Sequence, residues 1–194
     1  MARINPIQVY GNWDLGYALD VHTLSSIMVG EDAFGHPRFE STRSDLGELL
    51  YQFKYRYRYG ALDEIVDAVC VFLSEHPDMA QVDSIIPVPP TKQRGYQPTY
   101  EIADEVAKRL HLYCCTNVLE NNSIVEAKTL SHEDKHKAQQ GIIKVKDATR
   151  LHNTLVIDDL FQSGATLTRC VDLLKSDPLI DKVYVLAITK TRNS

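Results

Sequence analysis

The chain has 194 residues, of which 44% are hydrophobic and 24% charged, with a formal net charge of -5; this is the composition of one globular domain with at most a small appended element. The negative balance argues against a general electrostatic grip on nucleic acid or on an anionic membrane. No apolar run approaches the length of a membrane span and residues 1–12 lack a signal-peptide core, so the cytoplasm is the expected compartment.

In chain order, residues 11–43 mix glycine, aspartate, histidine and scattered aromatics without sustained periodicity, which predicts irregular structure with a short hairpin. His22 and His36 lie here without ligand spacing and receive no role. From Ser44 to Gly60, Leu46, Leu49, Leu50 and Phe53 share one helical face, with Ser44 or Asp45 as its cap. Lys54 to Tyr59 then alternates bases and aromatics. Such a run stacks and neutralises nucleic acid in some proteins, but with three basic residues the favoured reading is half-buried tyrosines and solvated bases. Residues 1–60 are expected to form an N-terminal hood and first helix, and residues 61–194 the core, within one structural domain overall.

Residues 61–73 predict a strong helix through Leu62, Ile65, Val66, Val69, Val71 and Phe72, closed by Pro77. Asp83 to Pro90 reads as a short strand ending in prolines, followed by the basic loop Thr91 to Tyr96. Lys92 and Arg94 beside Gly95 would suit a diphosphate leaving group, which needs positive charge and backbone donors where its charge develops. Residues 99–111 predict another helix, and 112–115 open a strand. Residues 121–140 turn polar and carry Lys128, His132, Lys135, His136 and Lys137. The four cysteines, Cys70, Cys114, Cys115 and Cys170, have no C-x-x-C spacing and read as reduced thiols, so no metal site is expected.

Residues 154–174 organise the rest. Leu155, Val156 and Ile157 form the continuous apolar run of a buried parallel strand, which Asp158 and Asp159 end. Leu167, Cys170, Val171 and Leu174 recur at helical spacing behind a turn made of Gln162, Ser163, Gly164, Ala165 and Thr166. Gly164 lets the backbone approach a ligand, two hydroxyls flank it, and the opening helix offers unpaired N–H groups at a positive dipole end, all of which suit a phosphate. Paired carboxylates suit vicinal hydroxyls, so the two features together describe a ribose 5-phosphate. No G-x-x-x-x-G-K-[ST] loop is present, against a nucleotide hydrolase. About one further strand follows, Lys182 to Ile188, against a phosphorylated receiver domain.

The run VIDDLFQSGAT, Val156 to Thr166, resembles the signature of the type I phosphoribosyltransferases for 5-phosphoribosyl 1-diphosphate (PRPP), with Gln162 and Ser163 where that family usually carries threonines. Pro87-Val88-Pro89 and Arg94-Gly95-Tyr96 look like the competence protein F (ComF) branch, here with Gln97-Pro98 after the aromatic and without the four-cysteine zinc module of many full-length relatives. The resemblance implies an α/β domain with a mainly parallel sheet, helices on both faces and a small N-terminal hood. It implies Mg²⁺ bound with PRPP, Asp158 and Asp159 as the catalytic pair on the ribose hydroxyls, and Gln162 to Thr166 on the 5-phosphate. Lys92, Arg94, Gly95 and Lys128 would hold the diphosphate, Lys128 from a loop that folds over it, with no protein metal cage. The expected activity is transfer of the phosphoribosyl group to an unidentified nitrogen acceptor, with a homodimer as an open alternative to a monomer. Gln162 and Gln97-Pro98 keep a second class of function in play, a non-catalytic PRPP or nucleotide sensor serving another process such as handling of incoming DNA. A nucleic-acid accessory role through residues 54–58 is the third, disfavoured by charge.

Overall fold

Two strands set the architecture because their sequences are apolar on both faces. In β9 (His152–Phe161) residues 154–157 are buried, and in β10 (Ile180–Lys190) residues 183–189 are, the signature of strands covered from both sides. The structure, a computed structural model, describes residues 2–56, 58–79, 81–90, 95–121, 141–150 and 152–192. Around the central pair, β2 (Leu15–Ala18), β5 (Ser84–Pro87) and β6 (Tyr113–Cys114) add in parallel and β1 (Ile7–Gln8) adds antiparallel at one edge, in the order β1-β2-β10-β9-β5-β6.

Strand alternation sorts the core into two layers. Tyr184, Leu186 and Ile188 of β10, with Leu155 and Ile157 of β9, pack under α1 (Asp45–Tyr55), α2 (Gly60–Glu75) and α3 (Pro98–Leu110). Val183, Val185 and Ala187, with Val156, pack under Leu167, Cys170, Val171 and Leu174 of α4 (Ala165–Lys175). The mixed α/β fold with a mainly parallel sheet and helices on both faces is the one expected. Ser44 caps α1, its hydroxyl accepting the Gly47 N–H at 3.0 Å and donating to the Val21 carbonyl at 2.5 Å. A short antiparallel pair, β7 (Leu119–Asn121) with β8 (Ile142–Lys144), covers the α4 side.

The N-terminal region is more ordered than its sequence suggests. Of residues 11–43, four form β2 inside the main sheet, and β3 (Thr23–Glu31) pairs with β4 (Pro37–Arg43) in a hairpin that stands off the core. β2 escapes the sequence pattern because it has only four residues, LGYA, two of them small. β9 also runs past the acids: Asp158, Leu160 and Phe161 pair with Ala187, Thr189 and Lys190, so β10 extends the ladder beyond the apolar run.

Candidate functional site: two carboxylates and a turn at the strand ends

The carboxyl ends of β5 and β9 open into a cleft of about 370 Å³, lined by Pro89, Pro90, Gln97, Asp158, Asp159 and Thr166 among others. The prolines follow from the end of β5, where Val88 donates its N–H to Ile157 O at 2.9 Å before the chain turns away. In an open parallel sheet this is the end at which ligands bind.

The turn after β9 places its donors by backbone geometry. Gly164 adopts φ 75°, a left-handed conformation that favours glycine, and a Cβ there would also press on Phe161 Cζ at 3.1 Å. Behind it Phe161 meets Trp13 edge to face at 6.3 Å, and the Trp13 indole N–H is tied to Val9 O at 2.9 Å. The α4 ladder opens with Thr168 N–H on Gly164 O at 2.8 Å, leaving the N–H groups of residues 165–167 without helical partners. Ser163 Oγ makes a long 3.5 Å contact with the Ala165 N–H.

The two acids, adjacent in sequence, occupy different surroundings because a strand sends neighbours to opposite faces. Asp159 lies on the α1–α3 side. Its Oδ2 accepts from Lys54 Nζ at 2.8 Å and from Thr99 Oγ1 at 3.1 Å, with the Lys54 and Asp159 side chains only 16% and 19% exposed. Asp158 feels α4, where Cys170 is its electrostatic neighbour, and its Oδ1 accepts the Asp159 N–H at 2.8 Å. Burial, and then the neighbouring charge of Asp159, push the Asp158 carboxyl up to about 7, against the smaller pull of Lys54. His22 sits nearby with its Nδ1 3.2 Å from the Thr189 hydroxyl, and burial followed by Arg43 and Lys54 holds its imidazole below the usual range.

Of the residues singled out in the sequence, Asp158, Asp159, Gln162 and Thr166 line this one cleft, and Ser163, Gly164 and Ala165 form the turn between the last two. Gly95 is exposed beside Tyr96, whose ring packs edge to face on Phe53 and Tyr59. Lys92, Arg94 and Lys128 lie outside the described residues. Lys54, read as a solvated base, is instead enclosed within the site, because the last turn of α1 runs over the end of β9. Lys54, Thr99 and Trp13 went unrecognised in the sequence. The only signal for the first was an apolar face on α1 ending at Phe53, one residue away.

No family model and no curated protein matches the sequence. Among solved structures the chain is similar to adenine phosphoribosyltransferase from Saccharomyces cerevisiae, complexed with an imino-altritol bisphosphate and adenine, at TM-score 0.50 and 11% identity over 86% of this chain and 85% of that one. It is also similar to orotate phosphoribosyltransferase from Aeropyrum pernix, at TM-score 0.44 and 14% identity over 86% and 89%. The fold is the type I phosphoribosyltransferase fold. In this chain the acids lie near the end of β9 and the glycine turn that follows it opens α4.

Among the described residues no three His, Cys, Asp or Glu side chains come together to hold a metal ion. One Asp159 oxygen is already taken by two donors. The Asp158 and Asp159 carboxylates in the cleft are oxygen donors of the kind a Mg²⁺ ion accepts.

Proposed function

We propose that the cleft binds PRPP and that the chain transfers its 5-phosphoribosyl group to a nitrogen acceptor, releasing diphosphate. The observation that supports this most is the meeting, in one cleft at the strand ends, of two carboxylates with a left-handed glycine turn that opens a helix. The turn, with Gln162, Ser163, Gly164, Ala165 and Thr166, would take the 5-phosphate through backbone N–H groups and hydroxyls. Asp158 and Asp159 would accept hydrogen bonds from the ribose hydroxyls and hold the anomeric carbon open to attack. Lys92 and Arg94, which follow cleft-lining Pro90 in sequence, are assigned with Gly95 and Lys128 to the diphosphate, where positive charge is most useful as the bond breaks. Mg²⁺, bound with PRPP, would neutralise part of that developing charge. Acceptor contacts are assigned to the N-terminal region, from which the β3–β4 hairpin projects. The ComF-like affiliation rests on the Pro87-Val88-Pro89 and Arg94-Gly95-Tyr96 runs.

The second reading, a PRPP sensor without transfer, draws support from Gln162, a bulky amide lining the cleft at the phosphate turn. Incubating the chain with PRPP, Mg²⁺ and a panel of nucleobases and small amines separates the two. Diphosphate release with one of them is the expected result. Saturable PRPP binding without release across the panel would favour the sensor, and no binding at all would overturn both.

A further inference from the structure

Three elements converge on one oxygen at the rim of the sheet. β9 supplies Asp159, the last turn of α1 supplies Lys54, and the first turn of α3 supplies Thr99, whose donors reach Asp159 Oδ2 at 2.8 and 3.1 Å. The Lys54–Asp159 pair is more than four-fifths enclosed. Enclosed ion pairs contribute little net stability, because desolvation offsets most of their attraction, and what they supply is geometry. Here the geometry is specific. Both donors fall on Oδ2, which fixes the carboxylate plane, and no described residue donates to Oδ1 although Asp159 lines the cleft. Asp158, on the other face of the strand, has no ion-pair partner among the described residues and holds its proton to about pH 7. The two acids are therefore not equivalent.

We infer that Lys54 is a positioning residue for the sugar: with Thr99 it clamps Asp159 Oδ2 so that Oδ1 serves the ribose 2-hydroxyl, and the site thereby selects ribose 5-phosphates over 2-deoxyribose 5-phosphates. This rests on reading the cleft as a ribose 5-phosphate site. The 5-phosphate turn lies after β9 and contains neither Lys54 nor Thr99, so loosening the clamp leaves phosphate recognition in place. An ammonium acting as a mere buttress would instead affect both sugars alike.

The test is calorimetric titration of the full chain, Lys54→Met, Lys54→Arg and Thr99→Val with ribose 5-phosphate and with 2-deoxyribose 5-phosphate. The parent is expected to prefer the ribose form by about 10-fold or more, the low end of what a hydrogen bond to a charged group provides. In Lys54→Met the preference falls towards one while 2-deoxyribose 5-phosphate binds within about threefold of the parent value. Lys54→Arg restores most of the preference, and Thr99→Val loses part of it. A parent that binds both sugars equally, or a Lys54→Met chain that keeps the preference or loses both sugars equally, overturns the clamp but leaves the site reading intact. If Lys54→Met does not fold, an unchanged preference in folded Thr99→Val overturns it as well. A folded parent that binds neither sugar overturns the site reading and the clamp together.

Discussion

β9 and β3 are strands of similar length, ten and nine residues, held in opposite ways. β9 is paired on both sides and covered on both faces, whereas β3 pairs with β4 alone, and its Leu24, Ile27, Met28 and Val29 are 47–66% exposed. The candidate site sits at the end of the first. A carboxylate at the rim of a close-packed strand inherits that strand's rigidity, which is what a pre-organised site requires. The hairpin is tied down only near its base, where Arg43 pairs with Glu48 at 3.1 Å and Arg192 donates to Leu24 O at 3.0 Å. Its outer part rests on its own ladder, with register shifts at Thr23/Ser25 and Met28/Gly30, so that part is expected to add little to global stability.

The largest effect should follow from breaking the core beneath the site. Leu186→Ala, at a fully buried position on β10 facing the α1–α3 layer, is expected to cost about 2–5 kcal/mol of unfolding free energy in a denaturant titration. Next comes Asp158. Its folded carboxyl titrates near 7 against an ordinary 3.8, so between about pH 4 and pH 7 the folded state holds a proton that the unfolded state has released. Stability therefore falls as pH rises through that window and levels off above it. The charged groups acting on it are Asp159 and Lys54; the Cys170 thiol across the α4 face, pushed up to about 12 by burial and by Asp158, stays neutral over this range. Asp158→Asn should match the parent near pH 4 and exceed it by on the order of 3 kcal/mol at pH 8. Asp159→Asn relieves the same repulsion but strands the enclosed Lys54 ammonium, so at pH 8 it should be less stable than Asp158→Asn. Chemical denaturation at a series of pH values checks both.

Ser44→Ala tests the junction between the two regions, since this buried hydroxyl ties Val21, just before the hairpin, to the start of α1. A loss of about 1–2 kcal/mol is expected, read as a fall in melting temperature. Ile27→Ser, on the hairpin itself, should change stability by less than about 0.5 kcal/mol. A larger loss there would show that the hairpin face is covered in solution.

The strand, acids, turn and helix from residue 154 onward were legible because their information is local: an apolar run, two charges, a glycine and a helical stripe are neighbours in sequence. The helices over residues 45–55, 60–75 and 98–110 were legible for the same reason. What was hidden depends on contacts across the fold. Lys54 meets Asp159 across 105 positions and Thr99 meets it across 60, and no local pattern encodes either meeting. Lys54 sits in a run of alternating bases and tyrosines that looks like surface. β2 was hidden because four residues with two small side chains carry no period, and its place is set by the parallel ladder of β10. The extension of β9 through the acids was likewise dictated by its partner strand.

The central claim is that the cleft recognises the ribose 5-phosphate part of PRPP through the acids at the end of β9. Calorimetric titration of PRPP in the presence of Mg²⁺, on the parent and on Asp158→Asn at pH 8, tests it most directly. Saturable binding by the parent, weakened at least about 10-fold in a variant that is equally or more stable, is the expected result. No binding at millimolar PRPP by the folded parent, or unchanged affinity in the variant, would contradict it.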